Sequence, residues 1–135
     1  MPIVDHAALP ALKLPGLEHR TIAGHDQGLK TMEVWLQTME PGAATPVHRH
    51  ACEEVIVILE GSGEVTLEGE TRPFQANTTL VVPRDAVHQL INTGGRSVVL
   101  VAALGMAPVR VRDASGERMN LPWDAPAAAG DDTSH

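Results

Sequence analysis

At 135 residues, 43% of them apolar, the chain suits one globular domain built on a single core. Its net charge of -7, with ten Lys and Arg scattered apart from a short Arg110–Arg112 cluster, argues against a nucleic-acid backbone as the main partner. No run of about 18 apolar residues is present, so no membrane-spanning helix is expected.

In chain order, the sequence predicts short strands between turn signals. Residues 18–23 form the first candidate, and residues 30–39 a longer second one ended by Pro41-Gly42. Residues 55–59 follow, and Gly61-Ser62-Gly63 is expected to turn the chain back into 64–67. A turn at Glu68-Gly69 comes next, then strands at 79–82, stopped by Pro83, at 87–91, ended by the Asn92–Gly95 cluster, and at 97–103. Turn clusters spaced about 8–12 residues apart indicate an all-β sandwich or barrel. No segment has a 3.6-residue apolar period with good caps. Beyond Leu104, residues 109–112 and 117–121 flank a turn at 113–116, which predicts a terminal strand or hairpin over one end of the barrel. Residues 124–135, rich in Ala, Asp, Gly, Ser and Thr, read as a disordered tail.

Residues 55–59 and 98–101 are apolar on both faces, whereas a one-sided sheet would alternate. Something must cover the second face, and a homodimer is the expectation. The N-terminus lacks a cationic leader followed by an apolar stretch, and the single cysteine, Cys52, excludes an intramolecular disulfide. Both point to a cytoplasmic location. With no tyrosine and only Phe74, Trp35 and Trp123 as large aromatics, no stacking platform for bases is expected.

Three histidines carry the chemistry. His48 and His50 lie two apart, which on a strand puts them on one face about 6.6 Å apart. Two imidazoles at that spacing can share one ion. A straight strand would carry Glu54 about 13 Å past His50. For Glu54 to reach the same ion, the chain must bend at Ala51-Cys52-Glu53, with Glu54 opening the next strand. His88 is distant in sequence and must join by folding.

The stretch Gly42-x5-His48-x-His50-x3-Glu54-x6-Gly61 matches the first motif of the cupin superfamily at every position. Asn77-x5-Pro83-x-Asp85-x2-His88-x3-Asn92 keeps the Pro, His and Asn of the second motif and replaces both of its glycines. The chain therefore resembles the small single-domain cupins of bacterial type. The resemblance spans about residues 30–104. It implies a double-stranded β-helix (jelly-roll) barrel at 30–105, with an N-terminal segment carrying one strand (1–29), a C-terminal strand or hairpin (106–123) and a tail (124–135). It also implies that His48, His50, Glu54 and His88 bind one divalent transition metal: Fe, Mn, Ni, Zn, Cu or Co. Glycines in such motifs usually serve positive-φ turns, which Asn and Asp tolerate best among other residues, so Asn77 and Asp85 are expected to keep the turns.

Around that centre, Glu33, Trp35, Gln37 and Met39 share one strand face and Met32, Val34, Leu36 and Thr38 the other; either could look inward. Trp35 and Gln37 line the pocket if the first set does. Leu90 and Asn92 share the parity of His88. Trp123 closes the mouth if the C-terminal segment crosses it. Glu53, Gln37 and Asp85 are candidate acid–base groups. Cys52, between two of the ligands in sequence, either approaches the metal at the bend or is a small buried packing residue, and packing is the preferred reading. His6, His19 and His25 read as surface or dimer-contact residues. By family analogy, the leading expectation is a metal-dependent enzyme, a dioxygenase before an isomerase or lyase, acting on a small oxygen-rich molecule such as an organic acid, diketone or sugar derivative. A non-catalytic small-molecule-binding protein is the alternative. No nucleic acid or membrane is expected as a partner.

Overall fold

Nine strands make two antiparallel sheets in the computed structural model, which describes residues 1–123. They are β1 (Leu12–Leu14), β2 (Leu17–Ala23), β3 (Glu33–Met39), β4 (Glu54–Glu60), β5 (Ser62–Leu67), β6 (Glu70–Gln75), β7 (Thr78–Val82), β8 (His88–Ile91) and β9 (Val98–Leu104). The larger sheet has the order β1-β2-β3-β9-β4-β7 and the smaller the order β6-β5-β8. The all-β double-sheet fold is that of a cupin barrel. The expected tail at 124–135 lies outside the described residues. Among those described, no helix is long and apolar enough to cross a membrane.

Alternation decides what enters the core. Along β3 and β9 every second residue is buried, which aims Glu33, Trp35, Gln37 and Met39, and Val98, Leu100, Ala102 and Leu104, into the barrel. In β4 the same rule turns Glu54, Ile56 and Ile58 inward. The register pairs Ile56 with Ala102 and Leu80, so one cross-strand row packs as a layer.

The turns follow their sequence reading except at Gly61. Glu68-Gly69 is a two-residue hairpin with both residues at positive φ (48° and 81°), matching the right-handed twist of β5 and β6. Gly61 does not reverse the chain. It carries it from the larger sheet into the smaller, since β4 and β5 do not pair with each other. A Cβ at Gly61 would meet the Ser97 carbonyl oxygen at 2.6 Å and Val98 Cα at 2.8 Å, so only glycine fits this corner at φ 87°. Asn77 and Asp85 adopt φ of 63° and 61°, as their place in the second motif suggests.

The N-terminal segment holds two strands rather than one, because the three residues of β1 add themselves to the edge of β2. Strand β6 carries Pro73 and is almost wholly exposed; it tolerates both because it is an edge strand. The expected C-terminal hairpin is reduced to isolated bridges, Arg112 with Arg118 and Arg49 with Arg112, while Val109 and Val111 insert into the core.

Candidate metal centre

The site is assembled where an irregular segment runs beside β8. Thr45 N–H donates to the Leu90 carbonyl, and Leu90 N–H donates to Thr45 Oγ1. Three residues past Thr45 and two before Leu90, His48 and His88 exchange both backbone hydrogen bonds, at 2.9 and 3.0 Å. That pairing sets the two histidines directly opposite each other, their ring centroids 4.2 Å apart. Pro46, lacking an N–H, interrupts the ladder between them and keeps the segment from becoming a regular strand. The chain then bends at Ala51 and Cys52, and β4 starts at Glu54, which brings this carboxylate back beside His50.

His48, His50, Glu54 and His88 could together hold a metal ion: one donor atom from each lies within 4.8 Å of the others, and all four residues are buried. Glu54 Oε1 stands 3.2 Å from Nε2 of His50 and 3.2 Å from Nε2 of His88. None of these three atoms has a hydrogen-bond partner, although each is sealed from solvent. Buried polar groups are normally satisfied, so three orphaned donor atoms on one point are what a divalent ion would complete. The opposite ring nitrogens of two histidines are occupied. His48 Nδ1 donates to the Pro46 carbonyl at 2.7 Å and His88 Nδ1 to the Ala86 carbonyl at 2.8 Å, leaving Nε2 of each free for the centre.

Burial, reinforced by the neighbouring His88, pushes the His48 imidazole down to about 3. Burial alone would raise Glu54, but contact with the His50 and His88 rings outweighs it and holds the carboxyl at about 2. The set is therefore a carboxylate with a neutral His48 at physiological pH, the protonation states that metal ligation needs.

A cleft of about 450 Å³, its open mouth included, reaches this centre. Trp35, Gln37 and Leu90 are on its wall, together with His48, Glu54 and His88. Sequence parity did not find Leu17, Pro46, Leu100, Val111 and Leu121, which complete an apolar lining. Ile56 was within reach of that reasoning, being two residues from Glu54 on the same face of β4. Trp123 is also on the wall. Asn92 lies elsewhere: its amide donates to the Met39 and Arg96 carbonyls, and its Oδ1 accepts from Gly94, so it secures the β8–β9 connection.

Of the candidate acid–base groups, only Gln37 lines the cleft; Glu53 is exposed, and Asp85 occupies a positive-φ turn outside it. His6 and His25 are exposed. His19 is not a surface residue. It is fully buried because β2 turns it inward and Trp123 stacks on it, centroids 4.2 Å apart and planes within 7°. Its Nδ1 accepts from the Gln37 amide at 2.9 Å, so Nε2 carries the proton and donates to Thr21 Oγ1 at 2.8 Å. Burial lowers this histidine to about 3. Glu33, also buried, accepts from Trp35 Nε1 (2.9 Å) and from the Val109 N–H (3.1 Å), which turns the polar edge of the indole away from the cleft. Cys52 is buried, and that burial, with Glu54 nearby, raises its thiol to about 11.

A family model described as auxin-binding protein matches residues 3–113. Auxin-binding protein 1 of Arabidopsis thaliana is 41% identical over 108 residues, covering 72% of this chain and 54% of that protein. Auxin-binding protein T85 of Nicotiana tabacum is also 41% identical over 108 residues, covering 71% of this chain and 58% of that one. The chain thus spans little more than half the length of these relatives. Among solved structures, the polyketide cyclase RemF of Streptomyces resistomycificus superposes with a TM-score of 0.71, covering 84% of each chain at 22% identity, a likeness of fold.

Proposed function

The chain belongs to the auxin-binding protein family of the cupin superfamily, and from that premise we propose that it is a metal-dependent binder of small organic acids with an apolar body. The observation that carries this reading is the convergence of the unpartnered, buried His50 Nε2, Glu54 Oε1 and His88 Nε2 beside a largely apolar cleft whose wall includes Glu54 and His88. His48, His50, Glu54 and His88 are the proposed ligands of a single divalent ion. When bound, such an ion would supply a net positive charge and open coordination positions for a carboxylate. The rest of the recognition belongs to the protein. Trp35 and the aliphatic side chains of Leu17, Leu90, Leu100 and Val111 exclude water and match an apolar ligand body. Gln37, held by His19, and Thr45 are the polar groups on the wall outside the ligand set. Among the described lining residues, no titratable side chain stands outside that set, so a proton-transfer role has no candidate there. This favours binding over acid–base catalysis.

The test begins with elemental analysis of protein purified without chelator or affinity nickel, beside His88→Ala. About one equivalent of a single metal in the wild type, sharply reduced in the variant, is expected. Calorimetric titration with auxin and simple aryl carboxylates should then show binding to the loaded wild type and none to the variant. A metal-loaded protein that ignores every carboxylate would overturn the binding reading.

Oxygenase chemistry is the second reading, favoured by the donor set itself. Three imidazoles and one carboxylate with open positions are close to the ligand sets of oxygen-activating iron sites. Oxygen uptake by the Fe(II)-loaded protein on a panel of diketones and hydroxy acids would promote it. Turnover with Zn or Mn in the absence of uptake would instead point to an isomerase or lyase.

A second copy of the chain is the proposed cover of the larger sheet's outer face. Val34, Leu36, Val99, Val101, Val55, Val57, Leu59 and Val81 point away from the core on adjacent strands, with Val81 69% exposed. The register aligns Leu36, Val101 and Val57 in one row, flanked by Arg20 and Thr79, and Val34, Ala103, Val55 and Val81 in the next. A patch this continuous is what isologous dimers bury.

A further inference from the structure

The three imidazoles must each present a bare Nε2 to the common point, and a neutral ring does so only when its proton sits on Nδ1. His48 and His88 secure this in the same way, each donating from Nδ1 to the backbone carbonyl two residues before it. His50 does not copy them: the hydrogen-bond contact of its Nδ1 is with a sulfur, not a carbonyl. The residue two before it is His48, whose carbonyl already accepts the His88 backbone N–H at 2.9 Å in the bridge that sets the two histidines opposite each other. The bend that returns Glu54 to the site puts another group in that place. Cys52 Sγ lies 3.8 Å from His50 Nδ1, in a side chain only 2% exposed.

We propose that Cys52 is the positioning residue for His50, its sulfur accepting the Nδ1 proton and holding the ring in the tautomer that leaves Nε2 bare toward Glu54 and His88. This rests on reading the four-residue cluster as a metal centre. It also assigns the buried thiol a task beyond packing. Sulfur is a weak acceptor, while Glu54 Oε1, 3.2 Å from His50 Nε2, draws a proton to the opposite side of the ring. The two tautomers of His50 are therefore closer in energy than those of His48 or His88, and the identity of residue 52 sets the balance. Groups that orient a ligating histidine in this way typically change metal affinity by about 10–100-fold when removed.

The experiment compares the full chain with Cys52→Ala and Cys52→Ser. Histidine ¹⁵N–¹H spectra of the metal-free proteins report each ring's tautomer, and competition against a chromophoric chelator reports Zn(II) affinity. Thermal melts of the metal-free proteins report folding. The wild type is expected to show His50 protonated on Nδ1. Cys52→Ala should move His50 toward the Nε2-protonated form, leave His48 and His88 unchanged, and weaken Zn(II) binding about 10–100-fold. Cys52→Ser, whose hydroxyl can accept the same proton, should recover affinity to within about threefold of wild type. A purely packing role would leave all tautomers in place and would not distinguish the two variants once their melts agree. The proposal is overturned if His50 in the wild type is protonated on Nε2, a result that needs no variant to fold, or if Cys52→Ala keeps both tautomer and affinity. Failure of the wild type to bind Zn(II) would refute the metal reading instead, and the tautomer spectra would still judge the contact between Cys52 and His50.

Discussion

Acid should destabilise the metal-free protein well above the range where its carboxylates protonate, and the size of the effect follows from two buried histidines. His19 and His48 both sit at about 3 in the fold, against 6.5 in an unfolded chain. Between these values the unfolded state binds a proton that the folded state refuses, so stability rises with pH and is lost as pH falls below about 6.5. Taking the sample from pH 7 to pH 5 costs about 2 kcal/mol for each histidine, about 4 kcal/mol together. That is a large share of the 5–15 kcal/mol typical of a domain. Glu54, held at about 2 against 4.5, acts in the same direction but only below its unfolded value, so an assay kept at pH 5 or above excludes most of its contribution. Urea titrations in the presence of chelator should show the midpoint falling by about 2 M between pH 7 and pH 5, for a slope of about 2 kcal/mol per molar. His19→Gln removes one of the two groups and should halve the fall. Equal midpoints at the two pH values, or a variant that falls as far as the wild type, would refute the reasoning.

Three further outcomes are expected. Gly61→Ala should cost about 2–4 kcal/mol in urea unfolding, because the new Cβ meets the backbone of Ser97 and Val98 on a residue at φ 87°. Glu33→Ala leaves Trp35 Nε1 and the Val109 N–H without their acceptor; a loss of about 2–4 kcal/mol is expected, with a shift in Trp35 fluorescence as the indole is released. Val57→Asp places a charge in the middle of the outer apolar rows and should convert a dimer to a monomer by light scattering, with metal content unchanged; a wild-type monomer would disprove the proposed interface.

The site and the fold differ in how much of each could be read from the amino-acid order. The convergence of His48, His50, Glu54 and His88 was legible because motif spacing constrains it: two ligands on one stretch, a required bend, and a partner delivered by the next motif. The positive φ of Asn77 and Asp85 was legible for a local reason, since few side chains other than theirs tolerate that backbone. Most strands were visible as apolar runs between turn signals. Strands β1 and β6 were not, because one is three residues long and the other is an exposed edge with no apolar face.

What remained undecided depended on neighbours distant in sequence. Alternation in 33–39 defined two faces equally well. Only the packing of β3 between β2 and β9 turned Trp35 and Gln37 toward the cleft and left Val34 and Leu36 outside. His19 looked like a surface residue because nothing near it in the chain announces burial; Gln37 and Trp123, 18 and 104 positions away, make it a buried neutral ring. Cys52 could be read as a packing residue from its neighbours alone. Its contact with His50 comes from the bend at Ala51 and Cys52 that returns Glu54 to the site. Local order thus determined which groups and turns were available. The tertiary structure decided which faces are buried and which hydrogen-bond partners remain, because burial and pairing are properties of segments that meet only after the chain has folded.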